Sequence, residues 1–238
     1  LAEESDPNRH LSGAYALATS SPLEFAAPSL MRSALFNYLR EDITYSLKVR
    51  QPLKMDLKSY RSSYIATRDD DELNIVTLIL AETINTCFGE KTESTAHIEE
   101  RLHTWYRRLP SHFQPFPKAT GTSKLGEFPE LSTLGDSHTA VNQYHLVAQS
   151  ILTSTRDEAT TVSCKLHELA SQISGLAFTS GTSCVLVNSF GPIAFSGRFL
   201  ATKYLQAELV RRLLGCQKEI GWPVDHIIAD LESHLKEQ

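Results

Sequence analysis

The sequence predicts an all-α fold, a single irregular domain of about eight helices over residues 1–238. Three observations carry that expectation. Apolar residues recur three and four positions apart along most of the chain, which places them on one face of a 3.6-residue period. The periodic runs are bounded by Ser, Thr, Asp, Gly and Pro, the residues that begin and end helices. Only one stretch, CVLVNSF at 184–190, has the length and β-branched content of a strand, and a run that short reads equally well as buried helix.

The first helix is predicted over roughly 29–49: Leu35, Leu39, Ile43 and Leu47 recur every four residues, Tyr38 adds an i+3 member, and Gln51-Pro52 ends the segment. Asp69, Asp70 and Asp71 offer N-cap carboxylates to a second helix carrying Leu73, Val76, Leu80, Ile84 and Cys87, with Gly89 as its expected left-handed C-cap. Ser94 or Thr95 caps a third with Ile98, Leu102, Trp105 and Leu109 on one face, stopped by Pro110. From Pro110 to Asp136 prolines, glycines and serines dominate; this long connection is predicted to be partly mobile and pinned to the core by Phe113, Phe116 and Phe128.

After Asp136 and Ser137, the residues Val141, Tyr144, Ala148, Ile151 and Leu152 mark a fourth helix, and Leu166, Leu169, Ile173, Leu176 and Ala177 mark the next, broken by TSGTS at 179–183. FGPIAFSGRFL at 190–200 reads as a helix start, with Asn188 or Ser189 as cap and Pro192 in the first turn, or as a kinked buried helix; Gly197 leaves room for a second helix to approach. Leu205, Leu209, Leu213 and Cys216 build a helix closed by Gly221. Val224, Ile227, Ile228, Leu231 and Leu235 build the last one, with Pro223 in its first turn. Leu39, Ile43, Leu80, Ile84, Trp105, Ile151, Ile173 and Leu209 are expected to share one core.

The formal net charge of −5 denies the domain the positive field that contact with phosphate backbones needs. The densest basic spots, Arg107-Arg108 and Arg211-Arg212, fall on polar faces where solvation accounts for them. Cys87, Cys164, Cys184 and Cys216 never form C-x-x-C and sit among apolar residues, as reduced core thiols would. With no signal-peptide pattern and no long apolar run, the expected setting is soluble, reducing and intracellular, with no membrane partner.

Phosphate cradles, paired zinc histidines and nucleophile elbows are absent as motifs. The one S-x-x-K, Ser233 to Lys236, lies on a polar face near the chain end. No catalytic residue is therefore expected. His97 and His103 fall on different helical faces, and His138 shares a face with His145 without a carboxylate in view, so no metal site is expected either; one would need help from elsewhere in the fold. Three residues stand out as candidate ligand contacts. Tyr144 and His145 bring polar heads to an apolar stripe, where a satisfied core pair is the plainer reading. Arg198 sits inside an apolar run, so its guanidinium must be answered by a protein partner, by snorkelling to solvent, or by an anionic ligand.

Taken in order, LFNYLREDITYSLKVRQPLKMDL at 35–57, Asn74-Ile75, CFG at 87–89, Trp105, LPSHFQP at 109–115, FPEL at 128–131, YHLVAQSIL at 144–152, ISGLA at 173–177, GPIAFSGRFL at 191–200 and GWP at 221–223 resemble the fungal-specific transcription factor domain. This is the helical regulatory region C-terminal to a binuclear zinc-cluster DNA-binding module. The chain departs from that pattern at Phe36-Asn37, where the family has an aromatic pair, and at Leu73, where it has tryptophan. The resemblance implies a nuclear regulator of transcription. DNA contact and zinc would belong to a module N-terminal to this domain, which would itself carry no cofactor. Its partners would be a small-molecule effector, a second copy, or transcriptional coregulators. Two other readings stay open on the residues: an all-α enzyme with a polar pocket around Tyr144, His145 and Arg198, and a plain helical scaffold.

Overall fold

The computed structural model describes residues 30–57, 66–89, 94–118, 127–156, 159–180 and 182–236. Among them are eight α-helices: α1 (Leu30–Val49), α2 (Asp69–Phe88), α3 (Thr95–Arg108), α4 (Asp136–Ser154), α5 (Ala159–Ser180), α6 (Ser183–Ser196), α7 (Lys203–Ile220) and α8 (Asp225–Lys236). The predicted all-α class is the observed one. A 3₁₀ turn at Ser111–Phe113 follows α3, another at Gly197–Phe199 follows α6, and β1 (Phe116–Pro117) pairs antiparallel with β2 (Leu131–Ser132). None of the described helices is long and apolar enough to cross a membrane.

Helix α4 is the axle. It packs against α2, α3, α5, α6 and the first 3₁₀ turn, and its buried side chains run nearly all round it, as a helix enclosed by others requires. The apolar side chains form two clusters rather than one. Leu39, Ile43, Leu80, Ile84, Ile151 and Ile173 share the first, with Trp105 only partly buried at its margin. Leu209 belongs to a second, built by α5 to α8 around Ile193, Leu213, Val224 and Leu231; Phe199 touches both. Of the three phenylalanines predicted to pin the 110–136 connection, Phe113 and Phe128 are buried, while Phe116 lies 44% exposed on the edge strand. Residues 119–126, where mobility was expected, lie outside the described residues.

Several termini differ from expectation for physical reasons. The acidic run does not cap α2 from outside: Arg68 is the N-cap, and Asp71, one turn in, accepts hydrogen bonds from the backbone N–H groups of Thr67 (3.0 Å) and Arg68 (3.1 Å). Gly89 is extended, not left-handed; a Cβ there would come within 2.7 Å of the Asn85 carbonyl oxygen and 3.2 Å of Pro52. The glycine is needed for space, not for its φ. Gly221 does take the left-handed conformation, at φ +68, and closes α7 as predicted. Pro223 precedes α8 rather than starting it.

The stretch 184–190 is helical. Thr182 caps α6 with its side chain, and Ser189 and Ser196 return their hydroxyls to the carbonyls of Val185 and Pro192. Pro192 therefore lies inside the helix, not in its first turn, and deprives it of one backbone donor. Beside it Gly191 meets α1: a Cβ there would lie 2.9 Å from Thr44 Oγ1 and 3.0 Å from Thr44 Cα. Gly197 serves the same purpose against α7 and α8, its missing Cβ replaced by the methyls of Leu209 and Leu231. Of the four cysteines only Cys216 is buried, and Cys164 and Cys184 are exposed, contrary to the reading of all four as core thiols. Helical periodicity puts Cys164, flanked by Ser163 and Lys165, and Cys184, preceded by Ser183, on outward faces.

Candidate functional site

Asp69, His112 and His138 meet where the starts of α2 and α4 and the first 3₁₀ turn converge. Asp71 takes on the capping of α2, which leaves Asp69, the first helical residue, to face outward. Pro110 ends α3 and its carbonyl accepts from the Phe113 N–H, winding the turn that carries His112. That turn is tied to α4 by the buried Asn142, which donates to the carbonyls of Phe113 and His138, both at 2.8 Å, and accepts from the Tyr106 hydroxyl at 3.2 Å.

The three side chains converge on one carboxylate. His138 Nε2 lies 2.9 Å and His112 Nε2 3.2 Å from Asp69 Oδ2. His138 is buried, its ring packed on Phe113 at 4.4 Å, whereas Asp69 and His112 are about half exposed. The His138 hydrogen bond, with His112 assisting, holds the Asp69 carboxyl below the usual carboxylate range. His138 Nδ1 is buried and has no hydrogen-bond partner among the described residues. Sequence reasoning missed this cluster because its members lie 43 and 69 residues apart for the two contacts made by Asp69. The carboxylate absent from the neighbourhood of His138 in the sequence is supplied by α2. The usable signal was positional: both Asp69 and His138 open a helix, and His112 closely follows a helix-ending proline.

The three residues singled out from the sequence share no pocket formed by the described residues. Tyr144 and His145 are neighbours on α4, so about 100° of helix separates their directions. Tyr144 is wholly enclosed, and burial pushes its hydroxyl up to about 12, with Arg40 and Glu41 of α1 the charges acting on it. His145 faces α3 instead, stacked on Tyr106 with ring centroids 3.8 Å apart and planes 3° from parallel. Burial, and then the charge of His103, hold His145 down at about 4, so it is neutral at pH 7.

Arg198 lies in the second 3₁₀ turn, which packs against α5, α6 and α8. It lines a cleft of about 260 Å³ with Val162, Ser163, Leu166 and residues 199–201. Its charge is answered inside the protein, though loosely. One Nη2 hydrogen bond goes to the Ala194 carbonyl at 3.3 Å, Asp230 Oδ2 stands 3.8 Å away, and the guanidinium lies over the Phe195 ring at 5.4 Å. Because Asp230 is 48% exposed, removing the arginine strands no buried acid. Arg198→Ala should therefore cost about 1–2 kcal/mol, mostly lost packing and cation–π attraction, rather than the ~3 kcal/mol of a broken buried pair. Thermal melting in buffer checks this; a loss of about 4 kcal/mol would mean a far stronger internal partner than Asp230.

Comparison of the chain with family models, with curated proteins and with solved structures yields no match.

Proposed function

We propose that the chain is the regulatory domain of a fungal zinc-cluster transcription factor, acting in the nucleus without enzymatic activity of its own. The observation that supports this reading is how the motifs carrying the resemblance are arranged. They meet in pairs across long sequence separations. Pro52 of RQPLK abuts Gly89 of CFG; Pro129 of FPEL sits on Gly175 of ISGLA; Thr44 of REDIT touches Gly191 of GPIAF. Trp222 of GWP stacks on Phe190, directly before GPIAF, with centroids 5.9 Å apart. Short strings that dock on each other constrain one another's sequence, so their shared order describes one helical framework rather than a chance collection of turns.

The absence of catalysis is part of the proposal. Tyr144, His145 and Arg198, the groups an enzyme would have used, are separated, and each is occupied by protein neighbours. With a charge of −5 the domain would reach DNA only through an upstream module. It would act through a small-molecule effector, a second copy or coregulators. The coding sequence upstream of Leu1 tests the reading. Cysteines at binuclear zinc-cluster spacing followed by a basic segment are expected, and deleting residues 1–238 from the full protein should change transcription of its targets. An upstream region of another kind would overturn it.

A further inference from the structure

We propose that Asp69, His112 and His138 form a binding site for a divalent transition ion, zinc being the ion that suits the donors first. Two imidazole nitrogens and one carboxylate oxygen are the donor set of open three-ligand sites, in which the remaining positions go to water or to a small ligand. Tetrahedral ligands about 2.1 Å from zinc stand about 3.4 Å from one another. Here the two nitrogens stand 2.9 and 3.2 Å from the same oxygen, and all three ligand atoms lie within 4.8 Å of one another. The three ligand atoms are near enough for side-chain adjustment to bring them round one ion.

The supporting structure favours the same conclusion. Asp69 and His112 are open enough to water for an ion to enter, while His138 forms a buried wall against Phe113. Asn142 already holds the His112 turn to α4, so little ordering remains to be done on binding. In the metal-free form the hydrogen bond to Asp69 puts the His138 proton on Nε2. An ion needs that lone pair, and the ring proton must then sit on Nδ1. Nδ1 has no acceptor among the described residues, so the buried N–H left there costs some affinity but displaces no existing hydrogen bond. The carboxylate offsets one of the two positive charges of the ion. Ligation would join residues 69, 112 and 138, and so hold the starts of α2 and α4 together through the 3₁₀ turn.

The test is independent of the transcriptional reading, because it is made on the 238-residue chain alone. Chelator-treated protein is titrated with zinc by calorimetry and melted with and without it, and cobalt(II) serves as the spectroscopic probe. One zinc per chain, a raised melting temperature and visible cobalt bands are expected. Asp69→Asn and His112→Gln alter exposed side chains and should fold normally while weakening zinc roughly tenfold or more. A Cys164→Ser, Cys184→Ser double variant should bind as wild type does. Any one of three outcomes would overturn the proposal: no heat and no melting shift at about 1 mM zinc, undiminished affinity in Asp69→Asn and His112→Gln, or loss of binding only in the cysteine variant.

Discussion

Gly175→Ala should destabilise the protein by about 3 kcal/mol, lowering its melting temperature by roughly 10 °C. Gly175 is a buried residue of α5, and a Cβ built there would collide with the carbonyl oxygen of Pro129 and stand 3.0 Å from its Cγ and 3.2 Å from its carbonyl carbon. The obstructing atoms include backbone, so a rotamer change cannot relieve the clash; either α5 or the 127–132 segment must move. Ordinary helix propensity argues the other way, since alanine is the better helix former. Two comparisons separate the effects. Gly215 in α7 has none of the described residues within 4 Å of the position a methyl group would take, so Gly215→Ala should stabilise by about 0.5–1 kcal/mol. Ser174, next to Gly175, has a buried hydroxyl without a partner among the described residues, so Ser174→Ala should be neutral or mildly stabilising. Chemical denaturation of the three variants reads all the signs. A harmless Gly175→Ala would mean that the FPEL segment does not dock on α5 as described.

Acid should remove about 3 kcal/mol of stability through His145 alone between pH 7 and pH 4. Burial and the charge of His103 hold its folded-state pKa at about 4, whereas in the unfolded chain it titrates near 6.5. Between those values the unfolded chain binds a proton that the folded protein refuses. The stabilisation is thus fully present above about pH 6.5 and lost as pH falls toward 4. Other groups titrate too. Burial raises the Asp42 carboxyl, which favours the fold at lower pH, while Asp69 and Glu208, lowered by hydrogen bonds from His138 and from Arg211, lose their contributions only below the ordinary carboxylate range. The difference between wild type and His145→Phe isolates the histidine, because phenylalanine keeps a ring against Tyr106 and cannot be protonated. Stability measured across the range should fall about 3 kcal/mol further for wild type than for the variant. Parallel curves would show that His145 is reached by water in the fold.

What the sequence made legible follows from how local each signal is. The stripes Leu35–Leu39–Ile43–Leu47 and Val76–Leu80–Ile84 carry their own period, and the helices they predict are present. Gly89 shows where that locality ends. A glycine after a helix satisfies either a left-handed backbone or a close approach, and here it is the approach: a Cβ would meet the Asn85 carbonyl of the same helix and Pro52, far earlier in the chain. Stretch 184–190 illustrates the same point for composition: its Val and Phe residues suit a strand, but the Thr182 cap and the neighbouring helices keep it helical. The candidate site was the least legible part. Tyr144 and His145 drew notice through adjacency, which in a helix sends side chains apart. Asp69, His112 and His138 come together only because α2, the turn after α3 and α4 pack side by side.

Helix α4 is the element on which the rest of the fold is mounted. His138, Asn142, Gln143, Tyr144 and His145 all lie on it, and through them it holds the turn carrying His112, the Ile173 carbonyl of α5 and the Ser189 hydroxyl of α6. Native-state hydrogen exchange on the 238-residue chain measures this directly. Amides of the buried middle of α4, residues 140–151, should exchange only through global unfolding and be the slowest in the protein, with α3 and α8 opening at lower free energy. Amides of α4 that exchange as fast as those of α3 or α8 would contradict that central role.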